Sequence, residues 1–344
     1  MKVSFIIPLY NCLPLTQAML ASLRATLPPG LEHEIILVDD GSTDGTQEWL
    51  QAVGSALVAG PGPTGNPGLP TSGSPTIRTI LHEKNLGFAA ACNRGAAAAT
   101  GDFLFFLNND LVLLPRWLEP MLAAFDRFPD AGLVGNVQLN AATGATDHTG
   151  IFFNHQGKPA HDTGVPWSFR WLGVPACRAV DALTGACFGL RRALWTQLGG
   201  FDEGFINGSE DIDLCLRASA AGLQNFVALR SVVRHHISAS SGRKLRDEHN
   251  TFRLVSRWRE KIAVLAARDW SRRFIERHWD QSFVFDYHLG QAALLYWLQV
   301  LPAPPAAIRS SVAEALGGEQ QRWRELLENA APRPVPVPVY PARI

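Results

Sequence analysis

Short apolar runs alternate with amphipathic segments along the first half of the chain. Four mainly apolar runs predict buried strands, at residues 3–7, 34–38, 77–81 and 103–107. Apolar side chains at helical spacing predict the helices between them, at residues 13–27, from residue 46 to about 53 and at 89–99. This alternation predicts an α/β fold with a single wound, mostly parallel sheet flanked by helices.

The pattern becomes less regular further along the chain. Additional strands are predicted at residues 132–137, 179–183 and 225–233, and additional helices at 115–128, 191–198 and 210–221. Pro115 opens the first of these helices. Residues 140–178 show no clear periodicity, and residues 54–75 are so rich in Gly, Pro, Ser and Thr that they predict a mobile inserted loop.

A change in composition after residue 240 predicts three regions. They are an α/β domain at 1–240, a basic helical extension at 241–330 and a Pro-rich tail at 331–344. Residues 243–277 hold eleven Lys or Arg against five Asp or Glu. This basic stretch is interpreted either as a solvated helix face packed on the core or as a face for a membrane or acceptor.

Composition excludes several classes of protein. The 31 basic and 31 acidic residues cancel, so no overall charge favours nucleic acid, and none is expected as a partner. Five scattered cysteines without a CxxC pair argue against a disulfide framework or a zinc site. The first residues do not have the pattern of a signal peptide, and no apolar run approaches about 20 residues, so neither a signal peptide nor a membrane-spanning helix is expected. The expected location is the cytoplasm or the cytoplasmic face of a membrane.

Six polar clusters fall at predicted strand ends or helix starts. They are Pro8–Asn11, Asp39–Ser42, Asn85–Phe88 with Asn93, Asn108–Asp110, Glu210–Asp211, and His235. The carboxyl ends of parallel strands share one edge of a sheet, so these clusters are expected to meet in one crevice. Asp110 suits a hard divalent cation. The alternative is a simple strand-to-turn transition, which Asn and Asp also favour.

These motifs together resemble family 2 glycosyltransferases of the GT-A fold. The matching segments are FIIPLYN at 5–11, ILVDDGSTDG at 36–45, NLGFAAACN at 85–93 and LNND at 107–110. EDIDLCLR at 210–217 resembles the acceptor-side motif of rhamnosyltransferase-like members. The resemblance covers about residues 2–240. It implies inverting, metal-dependent transfer of a hexosyl or rhamnosyl group from a UDP- or dTDP-sugar to a glycan or lipid-linked hydroxyl, in cell-surface polysaccharide synthesis.

The resemblance also implies roles for individual residues. Asp211 would be the catalytic base, with Glu210 orienting the acceptor, and Asp110 and His235 would hold Mg²⁺ or Mn²⁺, with His236 as the alternate ligand. Asn108 replaces the first Asp of the family's Asp-x-Asp motif, which leaves one carboxylate there. The nucleotide-sugar would contact Pro8, Tyr10, Asp39, Asp40, Asn85, Gly87, Asn93, Asn108, Asn109, Thr184 and Gly185.

Each of these residues also has a structural interpretation. Tyr10 could be a partly buried core aromatic, and Asp39 with Asp40 could simply form a turn. Trp167 and Trp171 could stack on an acceptor sugar or pack in the core. Asp44 is predicted to cap a helix, and Asp213 to pair with Arg217 at i,i+4.

Two rival functions are a sugar nucleotidyltransferase and a non-catalytic sugar-nucleotide-binding protein. The first needs a Gly-rich triphosphate loop near residues 8–11, which is missing, and Asp110 and Asp211 argue against the second. The basic region predicts peripheral membrane contact through residues 243–277.

Overall fold

The computed structural model describes residues 1–58, 76–164, 176–236, 243–279 and 286–330. The chain divides into two compact units. Unit 1 comprises Met1–Asn154 and Pro159–Arg246, and unit 2 comprises His155–Lys158 and the chain from Asp247 onward. Each unit is described by itself below.

Unit 1 holds a large mixed sheet and a two-stranded one. Its strands are β1 (Lys2–Leu9), β2 (Glu32–Asp39), β3 (Thr76–Leu81), β4 (Phe103–Leu107), β5 (Leu111–Leu113), β6 (Ala131–Asn140), β7 (Thr146–His148), β8 (Ile151–Phe153), β9 (Pro159–His161), β10 (Cys177–Val180), β11 (Cys187–Arg191) and β12 (Gln224–His235). Its helices are α1 (Leu13–Thr26), α2 (Thr46–Val58), α3 (Phe88–Ala98), α4 (Glu119–Arg127), α5 (Arg192–Leu198) and α6 (Glu210–Ala220).

The order along the large sheet is β10-β12-β6-β11-β4-β1-β2-β3, with β5 beside β12 and β7 beside β6. Strand β1 is parallel to both β2 and β4, β2 is parallel to β3, and β6 is parallel to β12. Strand β11 runs antiparallel between β4 and β6. The predicted wound, mostly parallel sheet is therefore confirmed, and the polar tips of β1, β2 and β4 share one edge.

Burial explains why the first strands have continuous apolar runs. All five residues of β4 are buried, and β1 is buried from Val3 to Leu9, because both faces of these central strands are covered. Phe5, Phe105 and Trp117 contact one another on one face, with ring centroids 6.0–6.2 Å apart. This packing fixes the strands whose ends carry the polar clusters.

Several element predictions need correction. Helix α2 continues to Val58, into the range assigned to a loop, while residues 59–75 lie outside the described residues. Helix α4 begins at Glu119 with Pro120 in its first turn, whereas Pro115 precedes the helix. Strands β5, β7, β8, β9 and β11 were not predicted. The first four have three residues each, too few for periodicity to reveal, and the buried residues of β11 come directly before the helix predicted at 191–198.

The described part of unit 2 contains helix α7 (Arg243–Trp279) from Asp247 onward, α8 (Tyr287–Trp297) and α9 (Ala306–Ala330), together with His155–Lys158. Helix α7 is interrupted by a kink at Trp258. Trp323 is fully buried, and its indole Nε1–H donates to Glu248 Oε2. The C-terminal helical region of the fold prediction is confirmed; the boundary at residue 240 stays a prediction. Among the helices described, none has both the length and the hydropathy needed to cross a bilayer.

Candidate active site

The loops that follow β1 and β2 are joined by hydrogen bonds. Asn11 N–H donates to Ser42 Oγ (2.7 Å), and Asn11 Oδ1 accepts from Thr43 N–H (2.8 Å). Tyr10, in the first of these loops, is 51% exposed, whereas Pro8 is buried within β1. An exposed ring on a loop held this firmly is available to stack on a nucleotide base.

Asp39 ends β2, and only one of its two carboxylate oxygens accepts hydrogen bonds from the described residues. Its Oδ2 accepts from Gly41 N–H (3.2 Å), Ser42 N–H (3.1 Å) and Gln47 Nε2 (2.8 Å). Its Oδ1 is buried and has no hydrogen-bond donor among the residues described. Because a buried acceptor without a partner is costly, this oxygen is a natural position for a ligand N–H.

Asp40 organises the loop that follows β3. Its Oδ1 accepts from His82 Nδ1 (2.8 Å) and Leu86 N–H (2.9 Å), and its Oδ2 accepts from Gly87 N–H (2.8 Å). Both oxygens are therefore occupied by protein donors, and Asp40 holds the segment on which exposed Asn85 lies. This geometry gives Asp40 a positioning role, and direct contact with a donor sugar stays a prediction.

Gly41 lets the same two loops approach each other closely. Its φ is +76°, in the left-handed region that favours glycine, and an added Cβ would lie 2.7 Å from Lys84 C and Asn85 N. No side chain fits there without moving the backbone of residues 84–85. A glycine at this position therefore keeps the loops of Asp39 and Asn85 side by side.

Two amides predicted for the donor site are engaged within the protein. Asn93 Nδ2 donates to Phe201 O (3.0 Å) and its Oδ1 accepts from Phe201 N–H (2.9 Å). Asn109 Nδ2 donates to Asn11 O (3.2 Å) and Thr16 Oγ1 (3.0 Å). Both amides fix neighbouring loops, and a donor contact by either one stays a prediction.

Strand pairing brings Asp110 and His235 together. Strand β5, directly after Asp110, runs antiparallel to the end of β12, with Leu111 opposite His235. His235 Nε2 consequently lies 3.2 Å from Asp110 Oδ1. His236 contributes its backbone N–H, which donates to Asp110 O (3.0 Å). No sequence pattern predicts that a three-residue strand joins these positions, which are more than 100 residues apart.

The Asp110–His235 pair fits two ligands of one cation. Asp110 Oδ1 is buried without a well-formed hydrogen bond to any described residue, and His235 Nε2, 3.2 Å away, is the imidazole atom that could share a cation with it. A carboxylate oxygen and an imidazole nitrogen suit a divalent ion such as Mn²⁺. No group of three or more His, Cys, Asp or Glu side chains that could hold a metal ion occurs in the described ranges. Donor phosphates and water would have to complete the coordination.

Asp211 lies at the start of α6 and is bonded to the segment before β11. Its Oδ2 accepts from Gly185 N–H (2.5 Å), and its Oδ1 accepts from Ile212 N–H (2.8 Å). Burial raises the pKa of Asp211, and these hydrogen bonds and the nearby charge of His161 only partly oppose that effect. Neighbouring Glu210 is buried and accepts from Gly208 N–H (2.7 Å).

The segment Thr184–Ala186 links the two acidic positions. Asn108 N–H donates to Ala186 O (2.8 Å), while Gly185 N–H bonds Asp211 on the other side. Asn108 directly follows β4 and Asp110 comes two residues later, so the turn that carries Asp110 and the start of α6 are both hydrogen-bonded to this one short stretch of chain. The predicted convergence of Asn108, Thr184, Gly185 and Asp211 at this edge agrees with these contacts.

Two histidines near the site were not predicted. His148, at the end of β7, is buried, and its Nε2 accepts a long hydrogen bond from Thr184 N–H (3.5 Å). Burial lowers its pKa to about 3, with further lowering by the charges of His161, Arg178 and His235. The exposed His161 ring meets the His148 ring edge-on at 5.1 Å. Both lie within residues 140–178, where the sequence shows no clear periodicity, and neither belongs to a recognised motif.

The remaining predictions concern helix starts and two tryptophans. Asp44 accepts from Thr46 Oγ1 (2.6 Å) at the start of α2 and from Leu13 N–H (3.0 Å) at the start of α1, so it bonds to the first residue of each helix. The predicted i,i+4 pair is confirmed, with Arg217 Nε 2.8 Å from Asp213 Oδ2. Trp167 and Trp171 lie outside the described residues.

Comparison with known proteins now decides the family. The profile of glycosyl transferase family 2 matches residues 4–178, just over half of the 344-residue chain. The chain belongs to glycosyl transferase family 2. The resemblance read from the motifs is thereby confirmed, and it places the loops described above within a family 2 domain.

Curated relatives agree with this assignment. The O-antigen biosynthesis protein RfbC of Myxococcus xanthus is 32% identical over 180 residues, which are 48% of this chain and 13% of RfbC. An N-acetylglucosaminyl-diphospho-decaprenol L-rhamnosyltransferase of Mycobacterium tuberculosis is 27% identical over 261 residues, which are 68% of this chain and 76% of that protein. The first relative is thus several times longer than the part that matches this chain.

A solved structure confirms the GT-A fold. The crystal structure of GalNAc-T7 with UDP, GalNAc and Mn²⁺ superposes with a TM-score of 0.61 at 17% identity, covering 85% of this chain and 53% of that one. At this identity the likeness concerns the fold. The architecture predicted from the alternating pattern is therefore the one found in this family 2 chain.

Proposed function

We propose that this family 2 chain is an inverting glycosyltransferase that moves a sugar from a nucleotide-diphosphate donor to a hydroxyl group. The observation that carries the proposal is the segment 184–186, which bonds Asn108 on one side and Asp211 on the other. The turn at residues 108–110, which carries Asp110, and the candidate base Asp211 are therefore both hydrogen-bonded to one short stretch of chain. Glycosyl transfer needs both near the reacting carbon.

The donor side is supported by the loops after β1, β2 and β3. Tyr10 would stack on the base of a UDP- or dTDP-sugar, and the unpaired Oδ1 of Asp39 would accept a base N–H. Asn85 and Gly87 would face the sugar-diphosphate, held in place by Asp40. Pro8 would act from within β1 by fixing the loop that carries Tyr10.

Asp110 and His235 would hold a divalent cation, Mg²⁺ or Mn²⁺, against the donor diphosphate. The ion would neutralise negative charge on the leaving diphosphate. Asn108 carries no charge, so the protein brings a single carboxylate to this ion. The donor's own oxygens are therefore needed, and cation and donor should bind together.

Asp211 would accept the proton of the attacking hydroxyl. Its raised pKa makes it a better proton acceptor than an ordinary aspartate. Gly185 and Ile212 fix the carboxylate orientation through their N–H groups. Glu210, bonded to Gly208, would orient the acceptor from the neighbouring position.

The acceptor in this proposal is a glycan or a lipid-linked sugar, in cell-surface polysaccharide synthesis. Support comes from the relatives, one of which is an O-antigen biosynthesis protein, while the name of another contains the lipid diphospho-decaprenol. The proposed location is the cytoplasm, at the cytoplasmic face of a membrane. Peripheral membrane contact through residues 243–277 and transfer of a hexosyl or rhamnosyl group belong to the same proposal.

A thermal-shift panel tests the donor and cation half. A UDP- or dTDP-sugar that binds the folded chain should raise its Tm, and it should do so more strongly with Mn²⁺. Asp110→Ala should remove the Mn²⁺-dependent part of the shift. Asp126→Ala, at an exposed aspartate of α4, is the matched control and should behave as wild type. A full Mn²⁺ effect in Asp110→Ala would contradict the assignment.

A further inference from the structure

The hairpin of β8 and β9 carries His161 to the segment that bonds Asp211. His161 lies opposite Ile151 in this hairpin. Ile151 in turn pairs with Ala182: Ile151 N–H donates to Ala182 O (2.8 Å), and Ala182 N–H donates to Ile151 O (3.3 Å). Ala182 comes three residues before Gly185, whose N–H donates to the Asp211 carboxylate. Backbone pairing therefore fixes a histidine that belongs to no motif near the candidate base.

A second set of contacts holds β9 in place at the residue after His161. Thr149 N–H and Thr149 Oγ1 both donate to Asp162 O (2.7 and 2.9 Å), and Asp162 N–H donates to Gly150 O (2.8 Å). The Asp162 carboxylate also lies 3.2 Å from Arg178 Nη1. The backbone that carries the His161 ring is therefore held on both sides of that residue.

His148 contacts the His161 ring as an uncharged group. The two rings meet edge-on, with their centroids 5.1 Å apart. His148 Nε2 accepts from Thr184 N–H (3.5 Å), and burial lowers the pKa of His148 to about 3. His161 is exposed, so its ring exchanges protons with the solvent. The positive charge that this pair of histidines brings to the site is therefore the charge of His161.

The charge of His161 acts on the Asp211 carboxylate. Burial is the largest influence on Asp211 and raises its pKa. The N–H groups of Gly185 and Ile212 and the charge of His161 act in the opposite direction. A buried carboxylate accepts a proton from a hydroxyl only while it is ionised, so a cation beside it favours the form that a base requires.

The other ionisable groups nearby are paired with one another or acidic. They are Glu210, Asp213, Cys215 and Arg217 of α6, and Asp162 and Arg178 beside β9. Asp213 pairs with Arg217, and Asp162 pairs with Arg178. Glu210 is buried next to Asp211 in the sequence, and a second negative charge there disfavours ionisation of Asp211. The charge of His161 opposes this effect.

We propose that His161 is a positioning residue that acts through Asp211: its protonated ring keeps the buried Asp211 carboxylate ionised and able to accept the proton of the attacking hydroxyl. The inference rests on the proposed role of Asp211 as the base. It adds a residue from the β8–β9 hairpin to a site that the motifs place at strand ends and at the start of α6. The contribution of His161 should appear on the acid side of the pH profile.

NMR titration of the full-length chain, with aspartate labelled by ¹³C at Cγ, tests the coupling without an activity assay. The Asp211 resonance is the one that is lost in Asp211→Asn. We expect His161→Gln to move the titration midpoint of Asp211 to higher pH, because a cation that favours the ionised form is removed. His161→Lys keeps a positive charge and should not raise the midpoint. An unchanged midpoint in His161→Gln would overturn the proposal.

Hydrolysis of the donor that raises the Tm most, with Mn²⁺ and water as the acceptor, gives the second readout. On the acid limb of the pH profile, His161→Gln should release nucleoside diphosphate about threefold more slowly than wild type. On the plateau the two rates should agree, and donor affinity should be unchanged. Equal slowing at every pH would overturn the proposal, because that is the result expected of a structural defect.

His33→Gln is the matched control. His33 is also a histidine of unit 1, but it lies at the start of β2, at the opposite end of that strand from Asp39. The control should match wild type in both measurements, and far-UV circular dichroism shows that each variant is folded. An unmoved Asp211 midpoint would remove the role of His161 alone. A wild-type chain that binds the donor and never hydrolyses it would overturn the proposed base, and this inference with it.

Discussion

Replacing Gly41 by alanine tests the contact between the loops of Asp39 and Asn85. The backbone at Gly41 has φ +76°, a conformation that costs an ordinary residue about 1–2 kcal/mol. The new methyl group would also lie 2.7 Å from Lys84 C and Asn85 N, which are backbone atoms that cannot rotate away. Overpacking of this kind costs about 1–3 kcal/mol more.

Gly45→Ala is the matched control for this substitution. Gly45 also has a positive φ, +89°, but an added Cβ would meet no atom within 4 Å. The control therefore carries the backbone strain without the clash. We expect Gly41→Ala to lower the free energy of unfolding by about 1–3 kcal/mol more than Gly45→Ala does.

Urea unfolding followed by circular dichroism measures this difference, with the midpoints compared at equal m-values. Calorimetry with the donor that the thermal-shift panel selects gives the second readout, because separated loops should also weaken donor binding in Gly41→Ala. Equal destabilisation by both alanine variants would refute the close approach of the two loops. Tight donor binding by a destabilised Gly41→Ala chain would refute the claim that this approach shapes the donor site.

Three further substitutions test the hydrogen-bonded carboxylates. Asp40→Asn should lower the free energy of unfolding by about 1–3 kcal/mol and weaken binding of the nucleotide-sugar. The reason is that the new amide NH₂ would face the backbone N–H of Leu86 or Gly87. Urea unfolding measures the first effect and calorimetry the second. Burial by itself raises the pKa of Glu34, but hydrogen bonds, first from Ser4 and then from Thr100, outweigh it and lower the pKa below 4.5. Ionised Glu34 therefore stabilises the fold at pH values above 4.5, and this stabilisation is lost as the pH falls through the lowered pKa. Glu34→Gln should consequently flatten the acid limb of a curve of Tm against pH. An unchanged acid limb would contradict this prediction. Glu248→Gln should destabilise unit 2 by about 1–2 kcal/mol, because the hydrogen bonds from the Trp323 indole and the Arg322 guanidinium become weaker. Near-UV circular dichroism should then show the tryptophan signal disappear at a lower urea concentration than in the wild type.

The sequence was sufficient to predict the first half of the fold. Strand β4, β1 from Val3 to Leu9 and β2 from Glu34 to Asp39 are buried, so their runs are largely apolar, whereas β3 at the edge of the sheet is partly exposed; each of the four strands is followed by a polar cluster. The antiparallel strands beyond them were harder to predict. Strand β5 has three residues, and its pairing with β12 over more than 100 residues depends on tertiary packing that local patterns do not contain.

Residue types indicated which side chains are candidates for the site, but the hydrogen-bond partners of those side chains could not be predicted. Asp39 and Asp40 are adjacent in sequence and of the same residue type, yet Asp40 has both carboxylate oxygens hydrogen-bonded to the protein, whereas Asp39 Oδ1 accepts from no described donor. Asn93 is bonded to Phe201, 108 residues away. His148 and His161 have no motif around them, and only the pairing of short strands brings them near Asp211.

Hydrolysis of the donor by the wild-type chain and by Asp211→Asn tests the central claim most directly. In the presence of Mn²⁺ and with water as the acceptor, we expect wild type to release nucleoside diphosphate slowly from the donor that raises its Tm. Asp211→Asn should bind that donor with a similar affinity and release nucleoside diphosphate at least about 100-fold more slowly. Release by Asp211→Asn at the wild-type rate would contradict the account, as would a wild-type chain that binds the donor and never releases the diphosphate.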